Sequence, residues 1–143
     1  MASKRIDEVK DNVFKVASRL NSTWGGSLVD MIRSQKYLEI IEEDKLVENA
    51  RVVGEHLLGR LNELHNEFPI LVGNMRGKGL FCAFDLPTTA LRNELRNKAM
   101  AKGLVILGSG ERAMRFRPPL TITKDQIDEG INILKQSLKE MKG

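Results

Sequence analysis

From Leu46 onward the apolar residues recur at steps of three and four, through Ala50, Val53, Leu57, Leu61, Leu64 and Phe68, and so lie along one stripe of a helix. Asp44 stands where it would cap this helix, and Pro69 stops it. The stretch before it, Leu28 to Glu43, repeats less regularly at Leu28, Met31, Ile32, Leu38 and Ile41, with Ser27 as N-cap, and is read as a helix too. The cleanest signal comes last. Thr123 and Gln126 form a capping box, and Ile127, Ile131, Leu134, Leu138 and Met141 follow at steps of four and three.

Between these helices the pattern shortens. Arg76-Gly77-Lys78-Gly79 is a flexible entry to Leu80-Phe81-Cys82-Ala83-Phe84, an aromatic-rich run that predicts a strand. Pro87-Thr88-Thr89 opens a helix carrying Leu91, Leu95 and Ala99, which Gly103 closes. Leu104 to Leu107 predicts a second strand, stopped by Gly108-Ser109-Gly110. Ala113 to Arg117 predicts a third, with Met114 and Phe116 on one face, Arg115 and Arg117 on the other, and Pro118-Pro119 at its end. Residues 1–27 have no sustained period and read as an irregular arm. The expected fold is α+β, with helices packed on one face of a small antiparallel sheet. The arm at 1–27 and a domain at 28–143 are the expected divisions.

Composition narrows the class. With 143 residues and 41% hydrophobic content the chain can bury a core, which excludes disorder. The net charge of +4 is spread along the sequence, and no basic cluster surrounds Trp24 or Tyr37, so a nucleic-acid partner is not expected. One cysteine permits no internal disulfide, no apolar run approaches a membrane span, and no signal peptide is visible; a cytoplasmic protein without a membrane partner is expected. His56 and His65, nine residues apart on a helix, face different directions and are expected in solvent, so no metal site is expected. Arg76-Gly77-Lys78-Gly79 resembles a phosphate loop, but it precedes a strand instead of opening a helix, which favours a tight turn.

Two features carry candidate chemistry. In Asn21-Ser22-Thr23-Trp24-Gly25-Gly26, amide and hydroxyl donors meet two glycines just ahead of a helix, a composition that suits an anion and equally a capped loop. Arg115, on a strand that two prolines terminate, suits bidentate capture of a carboxylate or phosphate, and equally a solvated sheet face. The residues alone give an anion-binding α+β domain with no visible nucleophile or base.

Several strings add more. Arg5-Ile6-Asp7-Glu8-Val9, Asn12-Val13-Phe14, Ser18 through Gly26, Ile41-Glu42-Glu43-Asp44, Arg76 through Leu80, Asp85-Leu86-Pro87-Thr88-Thr89 and Arg115-Phe116-Arg117-Pro118-Pro119-Leu120 together resemble the lysine ε-aminotransferases, which are class III, fold-type I, pyridoxal 5'-phosphate enzymes. The resemblance runs through the whole chain but only the end of the family's subunit. It implies that residues 1–27 are the remnant of the large cofactor domain and 28–143 the C-terminal small domain. It further implies that Thr23 binds the cofactor phosphate of the other subunit of a homodimer, with Ser22 beside it, that Asn21 borders the substrate, and that Arg115 clamps the α-carboxylate of the amino acid or 2-oxoglutarate. Arg117 borders this site.

In the family the Schiff-base lysine lies upstream of the segment matched by Arg5 to Val9, and Lys4, Lys10 and Lys15 fall after it. The expectation is therefore a fragment, started at Met1-Ala2-Ser3, with no catalytic residue of its own and inactive alone. The parent would move the ε-amino group of L-lysine to 2-oxoglutarate. The alternatives are a 4-aminobutyrate or ornithine aminotransferase fragment, or a free-standing, non-catalytic anion-binding module. In isolation the arm and the first helix are expected to expose apolar surface.

Overall fold

The computed structural model describes residues 3–19 and 22–141. The chain divides into two compact units, one up to Glu39 and one from Ile40. The helices are α1 (Leu28–Glu43), α2 (Leu46–Glu67), α3 (Thr89–Ala101) and α4 (Lys124–Lys139), and the strands are β1 (Gly73–Lys78), β2 (Phe81–Asp85), β3 (Leu107–Ser109) and β4 (Ala113–Phe116).

In the second unit the antiparallel sheet runs β1-β2-β4-β3, and α2, α3 and α4 pack on one face of it. The α+β expectation holds. The core forms where the α2 stripe, Val53, Leu57, Leu61 and Leu64, meets Phe84 and Met114 of the sheet and Leu134 and Leu138 of α4. Fully buried leucines such as Leu57 and Leu61 each contribute roughly 2 kcal/mol of apolar transfer free energy. The Phe84 and Phe116 rings lie 6.3 Å apart, tilted by 39°, on the same face.

The caps explain the boundaries. Thr88 accepts from Leu91 N–H at the start of α3, and Thr123 with Gln126 forms both bonds of the capping box on α4. Asp44 does not cap α2. The N-cap is Lys45, left-handed at φ 52° with no side-chain cap bond, because Asp44 N–H still bonds Ile40 O in the last turn of α1. Two residues between helices leave Asp44 no room for the extended backbone a cap requires.

Strand β1 was not expected as a strand. Its sequence, GNMRGK, contains two glycines and no β-branched residue, and it is a strand because it pairs with β2: Arg76 with Ala83, Gly77 with Cys82, Lys78 with Phe81. The connection is Gly79-Leu80, with Gly79 at φ 56°, the position where a II′ turn demands glycine. Arg76-Gly77-Lys78-Gly79 is thus half a hairpin, not a phosphate loop. Gly54 of α2 lies flat against that turn; a Cβ on it would stand 2.2 Å from the Gly79 oxygen.

Three smaller differences follow from packing. The run Leu104–Ile106 precedes β3, which starts at Leu107; Ile106 is buried, so its apolarity reports the core and not sheet pairing. Neither histidine faces solvent freely. His56 Nε2 lies 2.8 Å from Asp128 Oδ1, and His65 Nδ1 lies 2.5 Å from the Val72 oxygen.

In the first unit, the expected irregular arm contains a 3₁₀ helix, Lys4–Glu8, capped by Ser3. Buried Asn12 ties the following turn, donating to the Ile6 and Val9 oxygens while its Oδ1 accepts from Phe14 and Lys15 N–H. Helix α1 has the expected bounds and buries no residue; Leu28, Met31, Ile32 and Leu38 are exposed.

Candidate functional site

The three helices cover the Cys82–Phe84–Met114 face of the sheet, so alternation places Phe81, Ala83, Asp85, Arg115 and Leu107 on the other. Phe81 and Leu107 are exposed there. Arg115 sits between Ala83 and Leu107 in register. The small Ala83 stands beside it, and the Arg115 Nε–H is buried with no hydrogen-bond partner among the described residues. A buried, unanswered guanidinium N–H costs free energy unless a ligand accepts from it. Arg117, just past β4 and exposed, lines the same cavity as Arg115, as the strand alternation predicted.

The carboxylate of this face is engaged elsewhere. Asp85 accepts from Arg76 Nη1 at 2.9 Å and from Asn74 Nδ2 at 2.8 Å. Burial pushes its pKa up, but the hydrogen bonds from Asn74 and Arg76, with the charges of Arg76 and Arg112, outweigh this and hold it below the usual carboxylate range. Two arginines thus share one face with opposite fates, Arg76 paired with Asp85 and Arg115, among the described residues, with no carboxylate partner. Lys78 lines the Arg115 cavity as well. Sequence reasoning missed it, because its place depends on the β1–β2 register; the signal available was that Arg76 and Lys78 alternate with glycines.

In the first unit, Ser22 and Thr23 are exposed at the head of a turn closed by Gly25 N–H to the Ser22 oxygen at 3.1 Å, with Gly26 at φ 79°. Neither hydroxyl bonds a described residue, whereas Ser27 accepts, at 3.4 Å, from Asp30 N–H at the start of α1. Free hydroxyls ahead of a helix start fit the rim of a bound phosphate, with donors and no competing partner. Asn21 lies outside the described residues. Among the described residues no group of His, Cys, Asp and Glu is arranged to hold a metal, and no helix is long and apolar enough to cross a membrane.

This arrangement has relatives. The family described as aminotransferase class-III matches residues 4–138. The chain belongs to the class III aminotransferases. These are pyridoxal-phosphate enzymes, and the residues described here are part of one such fold. Lysine-ε-aminotransferase of Mycobacterium tuberculosis is 49% identical over 138 residues, 96% of this chain and 31% of that protein. The enzyme of Amycolatopsis lactamdurans is 44% identical over 139 residues. The solved lysine aminotransferase of M. tuberculosis superposes with a TM-score of 0.90 at 49% identity, covering 97% of this chain and 32% of that one. The chain therefore spans about a third of the length of these class III relatives.

Proposed function

We propose that this chain is the C-terminal part of an L-lysine 6-aminotransferase, which transfers the ε-amino group of L-lysine to 2-oxoglutarate. Residues 1–27 are the end of the large cofactor domain and 28–143 the small domain of a cytoplasmic homodimer. The observation that carries this reading is Arg115, held on a strand with its Nε–H buried and unanswered, a fork waiting for a carboxylate. It holds the α-carboxylate and so orients the substrate. Ser22 and Thr23 donate to the cofactor phosphate across the subunit boundary, and Asn21 borders the substrate.

Bound pyridoxal phosphate supplies the carbonyl and the electron sink. The residues described here bind and orient, and we infer that the chain alone does not turn over. Lysine is preferred as donor over 4-aminobutyrate because relatives named L-lysine-ε-aminotransferase are 43 to 49% identical, against 36% for a probable 4-aminobutyrate aminotransferase of Caenorhabditis elegans. The test is a full-length enzyme with this C-terminal sequence, assayed with both amines. Turnover of lysine with 2-oxoglutarate is expected, and Arg115→Lys should lower kcat/KM for 2-oxoglutarate by about 100-fold, since a point charge replaces a fork. Turnover of 4-aminobutyrate but not lysine overturns the assignment.

A further inference from the structure

Two prolines decide where the sheet parts. Pro118 and Pro119 have no N–H to give a ladder, so β4 stops at Phe116, and its pairing with β3 ends where Leu107 faces Arg115. The apolar segment Leu104–Ile106 runs past that point without joining a strand, and a cavity of about 350 Å³ opens between it and residues 116–118. Leu104, Ile106, Phe116, Ile122 and Ile127 line it, and α4 adds Gly130. That glycine lies inside the helix with ordinary helical backbone, where alanine is the better residue. A Cβ there would meet Leu104 Cδ1 at an ordinary 3.6 Å. Neither a turn nor a close approach calls for glycine at this position; its missing side chain leaves room in the cavity.

The polar side chains of the lining are Arg115, Arg117 and Gln126. Gln126 commits its Oε1 to the Thr123 N–H in the capping box, which leaves its amide to donate. Arg117 is exposed and so stands on the solvent side. We propose that this cavity binds a free medium-chain aliphatic carboxylate, its tail seated among Leu104, Ile127 and Gly130 and its head at Arg117. Apolar walls with a few donors suit an apolar tail and an anionic head. The volume falls near the lower end of small-molecule pockets, about 300–1,000 Å³, which holds one short chain and not the paired chains of a membrane lipid. The tail lies on the helix-covered side of the sheet, so the site stands whether or not Arg115 is a carboxylate clamp.

The experiment titrates the 143-residue chain with butanoate, hexanoate and octanoate, and with 1-octanol as the uncharged probe, following the Leu104 and Ile127 methyl groups by NMR. Each added pair of methylenes should tighten binding about tenfold, with Overhauser contacts from the octanoate tail to both methyl groups. Arg117→Gln should weaken octanoate about fivefold and leave octanol unchanged. Gly130→Leu should fill the cavity and erase the dependence on chain length. Gly130→Ala, which the helix accepts, should weaken octanoate more than butanoate and so tests the same cavity if the leucine variant does not fold. Affinity that does not grow with chain length, or shifts confined to the exposed apolar residues of α1, overturns the site. Equal binding of octanoate by Arg117→Gln overturns the anionic head.

Discussion

Asp85 decides which arginine of the open face is free. Its pair with Arg76 is half-exposed, so solvent screening limits it to under about 1 kcal/mol at neutral pH. Because the folded pKa lies below the unfolded value, that contribution is fully present above about pH 4 and is lost as pH falls through the folded pKa. Asp85→Asn should therefore lower the melting temperature near neutrality and converge with the unsubstituted chain in acid; thermal melts across that range check it. Gly54 gives a sharper prediction. Helix propensity alone says that Gly54→Ala stabilises by about 1 kcal/mol. The 2.2 Å approach to the Gly79 oxygen says the reverse, because backbone cannot step aside cheaply, and a net loss of roughly 2–3 kcal/mol in urea unfolding is expected. Cys82 is buried, its thiol donating to the Gly79 oxygen at 3.3 Å, and burial pushes its pKa up. The native chain should react with a disulfide reagent only at the rate at which it opens.

The caps separate elements whose ends are fixed locally from those fixed by neighbours. Thr123→Ala should cost about 1 kcal/mol, whereas Asp44→Ala should be neutral, since Asp44 only looks like a cap in the sequence; paired chemical denaturations read both. The same division governs what was legible. Helices α1 to α4 could be read from their stripes and turn residues because each carries its own period. Strand β1 could not, because nothing in GNMRGK asks for extension; its partner β2 imposes it. Leu104–Ile106 misled for the opposite reason, apolar because Ile106 fills the core and not because the segment pairs. Arg115 was legible by alternation with Met114 and Phe116. Lys78, lining the same cavity, became visible only once the hairpin register was known.

The two units differ in how their elements are held. In the second, α2 and α4 bury leucines against the sheet; in the first, α1 buries nothing and relies on its own ladder and on exposed pairs such as Asp30–Arg33 and Lys36–Glu39. A helix of 16 residues on those terms is marginal. Amide hydrogen exchange should show weak protection through the part of α1 up to Glu39 and strong protection at Leu57–Leu64 and Leu134–Leu138. On the proposed assignment, the chain mixed with pyridoxal phosphate should keep no absorbance band after dialysis. Trp24, the chain's single tryptophan, is 80% exposed and adjoins Ser22 and Thr23. Its indole is a built-in fluorophore, emitting as a water-bathed ring does. Any surface that comes to cover the turn shifts that emission to the blue, so the docking of this loop can be timed and titrated without a label.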